Sequence, residues 1–296
     1  MSAPVDRSAL QVLSEAFSDI VASAAPHVVS IHSGRSRSSG IAYKPGLVVT
    51  ADEALAEEGE IGIEVPGGDR TAASVVGRDP TTDIALLRID RDDLAPLPFE
   101  TAASAKAGGV VLAVGARDGG PVAASGIVSC AGPAWRSLRG GEIDARIELD
   151  LSLRRHAEGA AVFDAGGRAL GMAVFGPRRR VLVIPAATIV RVAAHLETHR
   201  RVARGYLGLG LQPVRLDLGG GTGAMVMSVD AGGPGASAGI HQGDVIIAFA
   251  GEPIRGLRAV VRTLGPDSIG RSVPLSLRRA DRTIDTTLTI GERPHA

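Results

Sequence analysis

The stretch RRHAEGAAVF, residues 154 to 163, sets two groups capable of acid–base chemistry beside a tight turn. A charged approach runs into Gly159 and a short apolar strand leaves it. Glu158 stands at the tip, with His156 two residues earlier. A carboxylate in that place is a solvated turn residue, a catalyst, or the replacement of one, and the rest of the chain must decide. One other reactive side chain can be set aside early. Cys130 is the only cysteine, so no internal disulfide forms. It ends the apolar run GIVSC and reads as a buried, inert thiol rather than a nucleophile.

The totals exclude several classes. The 296 residues are 45% hydrophobic and 22% charged, with a mean hydropathy of +0.17. That is a globular composition on a chain long enough for two domains. Aromatic residues make up only 3%, so the core must come from Val, Ile, Leu and Ala. The 32 basic residues balance 32 acidic ones. A nucleic-acid binder usually carries a basic excess, so no nucleic-acid partner is expected. No apolar run reaches membrane-spanning length. The opening MSAPVDRSALQVLSEAF lacks a basic segment followed by a continuous apolar one. The expectation is therefore a cytoplasmic protein, with the periplasm as the alternative if the true start lies upstream. No cofactor is expected.

The elements that position the reactive residues follow from periodicity. Leu10, Leu13, Phe17, Ile20 and Val21 recur at helical spacing over 8 to 22, and Ser8 with Gln11 fits a capping box. From His27 to about Ile184 the pattern changes to short β-rich runs such as VVSIH, LVVT, IGIEV, IALLRI, VVLAV, IELDL, ALGMAVF and VLVI. Gly, Pro and Asp turns separate them. Many short strands at regular spacing predict an all-β sandwich or a pair of barrels. IPAATIVRVAAHLETH then reads as a helix, with Ile189, Val192, Ala193 and Leu196 on one face. Beyond RRVARG a second β-rich unit begins at Tyr206, and LGGGTG (218 to 223) joins two of its strands.

That second unit carries a resemblance. YLGLGL, DAGGPGASAGIHQGDVIIAFAGEPI, LRAVVRTLG and SVPLSLRRADRTIDTTLTI follow one another over residues 205 to about 292. Together they resemble a PDZ domain of the bacterial type. The resemblance implies peptide capture by β-augmentation. The loop of Tyr206, Leu207, Gly208 and Leu209 would present backbone N–H groups to a terminal carboxylate. The strand after it would pair with the peptide, and a groove beside the helix at 257 to 264 would take an apolar side chain.

A PDZ domain after a β-rich unit and a helix resembles the HtrA (DegP-type) trypsin-like serine proteases. The segments SSGIAYKPGLVVTADEAL (38 to 55), VVGRDPTTDIALLRI (75 to 89), GGVVLAVGARDG (108 to 119), ASGIVS (124 to 129) and VIPAATI (183 to 189) all fit, as does 147 to 174. The likeness runs in order over nearly the whole chain from Ala25, and DPTTDIALLRI is its most specific piece. Position by position it departs at the chemistry. The family's general-base histidine follows the VVTA strand, where this chain has Glu53. Its orienting aspartate matches Asp83. Its nucleophile sits in a Gly-Asn-Ser-Gly-Gly turn, which here reads His156-Ala157-Glu158-Gly159-Ala160.

Magnitudes weigh against a working triad. The base must have a pKa near neutrality, and a glutamate near 4.3 is far weaker than a histidine near 6.5. Glu158 as nucleophile would form a reactive anhydride and has nothing to activate it. Its charge would also lie beside the oxyanion hole. Two like charges at about 4 Å repel by ~4 kcal/mol at an effective dielectric of about 20, comparable to one oxyanion-hole donor. His156 replaces a glycine whose N–H helps to build that hole. Rescue by Ser152, Ser125 or Ser129 would need a base within hydrogen-bond reach; His156 is the candidate base, but no partner for it is identifiable from sequence. If Glu53, Asp83 and Glu158 converge with His156 nearby, one carboxyl is protonated, or Arg154 or Arg155 neutralises the cluster, or a divalent cation sits there.

The expectation is a mainly β protein, a trypsin-like double β-barrel followed by an α+β PDZ domain. Its divisions would be an N-terminal helical segment (1–25), a protease-like domain (26–186), a linker helix (187–204) and the PDZ domain (205–293). As a degenerate family member it would bind peptide C-termini or unfolded segments as adaptor, holder or regulator. Co-assembly with an active relative is possible on this reading. The family resemblance implies a homo-oligomer, a trimer built through the N-terminal segment. The alternatives are an active endopeptidase with an unorthodox site and a metal-binding protein using Glu53, Asp83, Glu158 and His156. The PRRR loop (177 to 180), at the family's specificity pocket, reads as solvated, with acidic-partner binding as the alternative.

Overall fold

The computed structural model describes residues 8–293 apart from 58, 102–104, 178–179, 201–202, 217–220 and 281. Part of the PRRR loop and part of LGGGTG therefore lie outside the described residues. The chain divides into two compact units, Met1–Trp135 with Glu142–Arg201, and Arg136–Gly141 with Val202–Ala296.

The first unit opens with α1 (Ala9–Ala24), whose Ser8 and Gln11 form the reciprocal capping box that the sequence predicts. Strands β1 (Val28–Ser33), β2 (Ser36–Lys44), β3 (Leu47–Thr50), β4 (Ile61–Glu64), β5 (Arg70–Asp79) and β6 (Ile84–Ile89) close a barrel in the order β1-β2-β3-β6-β5-β4. Its interior is filled by side chains such as Ile31, Val48, Ile63 and Leu87. All four residues of β3 are buried, as are all but Arg88 in β6. Burial on both faces is why these strands read as unbroken apolar runs.

A second barrel is built from β7 (Val110–Arg117), β8 (Gly120–Gly132), β11 (Arg146–Asp150), β12 (Ala161–Asp164), β13 (Ala169–Phe175) and β14 (Val181–Pro185), with order β11-β14-β13-β12-β7-β8. Short strands β9 (Trp135–Arg136) and β10 (Glu142–Ile143) form a separate ladder. Val111, Val128, Val162 and Val183 fill this barrel. Cys130 departs from expectation. It lies half-buried on β8, whose residues mostly alternate between half-buried and exposed. Helix α2 (Ala186–His199) packs on β5, β6, β13 and β14, burying Ile189, Val192, Ala193 and Leu196.

The second unit contains β15 (Gly205–Tyr206), β16 (Leu209–Arg215), β17 (Thr222–Val229), α3 (Pro234–Ser237), β18 (Val245–Phe249), β19 (Glu252–Pro253), α4 (Leu257–Arg262), β20 (Ser272–Arg279), β21 (Arg282–Thr289) and β22 (Gly291–Glu292). Its main sheet runs β16-β17-β18-β20-β21, so β16 is an edge strand. The core gathers Leu207, Val226, Ile246, Leu275 and Leu288. The fold is thus mainly β, a trypsin-like double barrel followed by a PDZ region, as the sequence predicts.

Candidate functional site

Asp83 closes the turn between β5 and β6, and the sequence DPTTD builds that turn from its own side chains. Asp79 is buried and accepts from the Thr81 N–H at 3.0 Å and from the Thr82 hydroxyl at 2.6 Å. Asp83 itself sits at φ +59°, a left-handed conformation that aspartate tolerates. Its Oδ1 accepts the Glu53 N–H at 2.8 Å. Glu53 is exposed, in the turn that follows β3. Next to it the buried Asp52 pairs with the Arg78 guanidinium, which also donates to the Asp52 carbonyl at 2.9 Å. That pairing fixes the turn from below.

Burial pushes the Asp83 carboxyl up to about 7, and the charges of Glu53, Glu158 and Asp52 add to the shift against the Glu53 N–H. Glu158 is raised as well. Burial is the main cause; a backbone hydrogen bond from Phe175 and the Arg155 charge oppose it, and Glu53 adds to it. Glu53, Asp83 and Glu158 therefore come together in one electrostatic cluster. Protonation of Asp83 and the charge of Arg155 both relieve it.

His156 does not join them. Burial and the charges of Arg117 and Arg154 hold its imidazole below the ordinary histidine range, against Asp118. Glu53, Asp83 and Glu158 are not among its perturbing charges. Among the described residues no group of three or more His, Cys, Asp or Glu is arranged to hold a metal ion. The four-residue set considered from sequence is not such a group. Of the alternative serines, Ser129 donates its hydroxyl to the Glu148 carbonyl at 3.1 Å, while Ser125 and Ser152 are exposed.

The turn that carries Glu158 is clamped by a residue that sequence reasoning missed. Ser39, wholly buried on β2, donates its hydroxyl to the His156 carbonyl at 2.8 Å and accepts the Ala116 N–H at 3.1 Å. Its N–H donates to the Glu158 carbonyl at 2.7 Å. Gly159 has φ +86°, and a Cβ there would lie 2.1 Å from the Ser39 carbonyl oxygen. Residues Arg155–Ala157 form a single 3-10 turn, and the Glu158 N–H donates to the Arg155 carbonyl at 3.1 Å. An acyl-transfer site needs that N–H directed at the developing oxyanion. Here it is taken up within the turn.

In the second unit the Tyr206–Leu209 loop has a defined polarity. The Leu207 carbonyl accepts the Gly235 N–H at 2.8 Å and the Gly208 carbonyl accepts the Asp230 N–H at 2.9 Å. In a trans peptide the following N–H points the opposite way, so the Gly208 and Leu209 N–H groups face away from the unit's interior. Gly208 has φ +66°, which glycine adopts without strain. The Tyr206 hydroxyl is held by the Asp230 carboxylate, and the Leu207 side chain belongs to the core. Beside the loop runs a groove of about 410 Å³ between β16 and α4, walled by Leu209, Leu211, Leu257, Val260, Val261 and Leu264.

Comparisons with known proteins agree with this architecture. A model for the trypsin-like peptidase domain matches residues 38–172, and a PDZ domain model matches residues 205–290. The "Probable periplasmic serine endoprotease DegP-like" of Rhizobium meliloti (strain 1021) is 29% identical over 277 residues, covering 88% of this chain and 54% of the relative. The protein of the same name from Brucella suis biovar 1 is 30% identical over 265 residues, covering 84% and 51%. The chain thus spans about half the length of the curated relatives it matches. The serine endoprotease from Yersinia pestis superposes with a TM-score of 0.69 at 27% identity, covering 94% of this chain and 98% of that one. The HtrA-type protease AlgW with tripeptide gives 0.65 at 25%, covering 95% and 98%. The relatives' names overturn the cytoplasmic expectation, because they are described as periplasmic proteins. No described helix is long and apolar enough to cross a membrane. A trypsin-like double barrel followed by a PDZ region, matched in that order and across most of its length by these proteins, makes the chain similar to the HtrA/DegP-type proteases.

Proposed function

We propose that this chain is a catalytically degenerate HtrA-type protein that works by binding peptide or unfolded-protein segments. Glu53 and Glu158 stand at the general-base and nucleophile positions, and Asp83 keeps the orienting carboxylate. The observation that carries this reading is the state of Glu158. Its carboxylate shares a field with Asp83 and Glu53, and its N–H is committed to the Arg155 carbonyl. Nucleophile, base and oxyanion-donor positions are therefore all compromised at this one site. Binding falls to the PDZ groove, with the outward N–H groups of Gly208 and Leu209 taking a terminal carboxylate and the free edge of β16 pairing with the peptide. The relatives' names support a periplasmic setting for this work. Leu10 and Leu13, 75% and 48% exposed on α1, support self-association through the N-terminal segment.

Degradation of reduced casein tests the reading. The native chain is expected to be silent. Glu53→His/Glu158→Ser, with and without His156→Gly, is expected to recover cleavage in at least one combination. The relatives' names favour a second reading, an active serine endopeptidase. Cleavage by the native chain that survives Glu158→Ala would establish it.

A further inference from the structure

The last turns of α2 read HLETH, with His195 and His199 one turn apart. Residues at i and i+4 lie on one helical face, the spacing by which paired histidines hold zinc on helices. The two rings are stacked, with centroids 4.3 Å apart and planes 18° from parallel. His195 is half-buried and His199 is exposed. His199 is also oriented. Its Nδ1 lies 3.3 Å from the His195 carbonyl, so an Nδ1–H donated there leaves Nε2 with its lone pair outward. Metal-binding imidazoles are ordinarily fixed in this way, donating the other ring N–H to a backbone carbonyl or carboxylate.

We propose that His195 and His199 form a two-histidine surface site for a divalent transition metal, with water completing the coordination. Metal–nitrogen bonds of about 2.0–2.1 Å place two cis nitrogens about 3 Å apart, so the rings, with centroids 4.3 Å apart, must turn their nitrogen edges toward a common ion as it binds. The helix C-terminus favours a cation at this end. Imidazole ligands select copper, zinc and nickel over calcium and magnesium, with Cu²⁺ the tightest of the series. The site binds without hydrolysing. Position 196 is a buried leucine where a zinc peptidase helix carries its glutamate, and Glu197 is held by the Lys44 ammonium at 2.6 Å.

The test uses the full chain without an affinity tag, titrated with Cu²⁺ and Zn²⁺ by calorimetry, with Ca²⁺ as control. Copper electron paramagnetic resonance reads nitrogen ligation. Cu²⁺ is expected to bind more tightly than Zn²⁺, to show imidazole nitrogen coupling, and to raise the melting temperature. His199→Ala, at an exposed position, should keep the circular dichroism spectrum and weaken Cu²⁺ binding by at least about tenfold. His195→Gln should do the same. Absence of Cu²⁺ and Zn²⁺ binding by the native chain overturns the proposal, and so does undiminished binding by a His195→Gln/His199→Ala double variant.

Discussion

The Glu53 main-chain N–H donates to Asp83 Oδ1 at 2.8 Å, so the β5–β6 turn is tied to the turn after β3 through backbone and not through a histidine ring. Asp83 keeps a donor, and the charges of Glu53, Glu158 and Asp52 all bear on it. Its carboxyl, raised to about 7 chiefly by burial, is protonated to a large extent in neutral solution. An acid whose pKa is higher in the folded state contributes stability that is complete below its unfolded value, near 4, and is lost as pH rises through 7. The native chain should therefore fall behind Asp83→Asn progressively between about pH 4 and pH 7. The deficit reaches at most about 4 kcal/mol, at ~1.4 kcal/mol per unit. Urea unfolding of the two proteins across that range measures it. Parallel pH profiles would sink the assignment.

Glu158→Gln removes one of the charges that raise Asp83 while keeping the side chain's size. The Asp83 titration, followed by carboxyl carbon NMR, should move to lower pH. Glu53→Gln should move it the same way, since Glu53 also raises the group. An Asp83 midpoint unmoved by both changes would mean that the three carboxylates do not share a field.

Gly159→Ala tests the clamp on the turn. Alanine at φ +86° is strained, and its Cβ would meet the Ser39 carbonyl at 2.1 Å. The expected loss is about 3 kcal/mol or more of unfolding free energy. A loss under about 1 kcal/mol would show that the turn can relax away from β2.

Ser39→Ala leaves the turn's backbone in place but orphans the His156 carbonyl and the Ala116 N–H, both bonded to its hydroxyl. Unsatisfied buried groups cost about 1–3 kcal/mol each, so a destabilisation of about 2 kcal/mol is expected in denaturant melts. Cysteine, similar in shape but a weak donor, should recover little of it.

Ser39 also marks where sequence reading stopped. The runs LVVT, IALLRI and ALGMAVF coincide with β3, β6 and β13, because strands buried on both faces advertise themselves as unbroken apolar stretches. Glu53, Asp83 and Glu158 could be singled out because DPTTDIALLRI anchors the resemblance around Asp83, and the fold brings the three into one electrostatic field. The serine that holds the Glu158 turn was not, since its partner His156 lies 117 residues away and nothing in SSG distinguishes a clamp from any buried serine. The charges that act on His156 were equally invisible. Its neighbours Arg117 and Asp118 come from the hairpin that joins β7 to β8, and only the fold brings that hairpin to the turn.

The peptide groove yields the prediction closest to function. A terminal carboxylate facing the Gly208 and Leu209 N–H groups gains charge-assisted hydrogen bonds, worth about 1.5–3 kcal/mol together with the contacts they align. Amidating the C-terminus of a bound peptide should therefore raise its Kd by about tenfold or more. Val261, on the groove wall and 40% exposed, can be changed without opening the core. Val261→Glu puts an acid into the apolar wall and should weaken the free-acid peptide by a similar factor, with an unchanged melting curve. Fluorescence anisotropy with paired acid and amide peptides separates the outcomes. Equal affinity for acid and amide, with Val261→Glu still weakening both, would mean that the groove takes extended internal segments through the β16 edge and does not read chain ends.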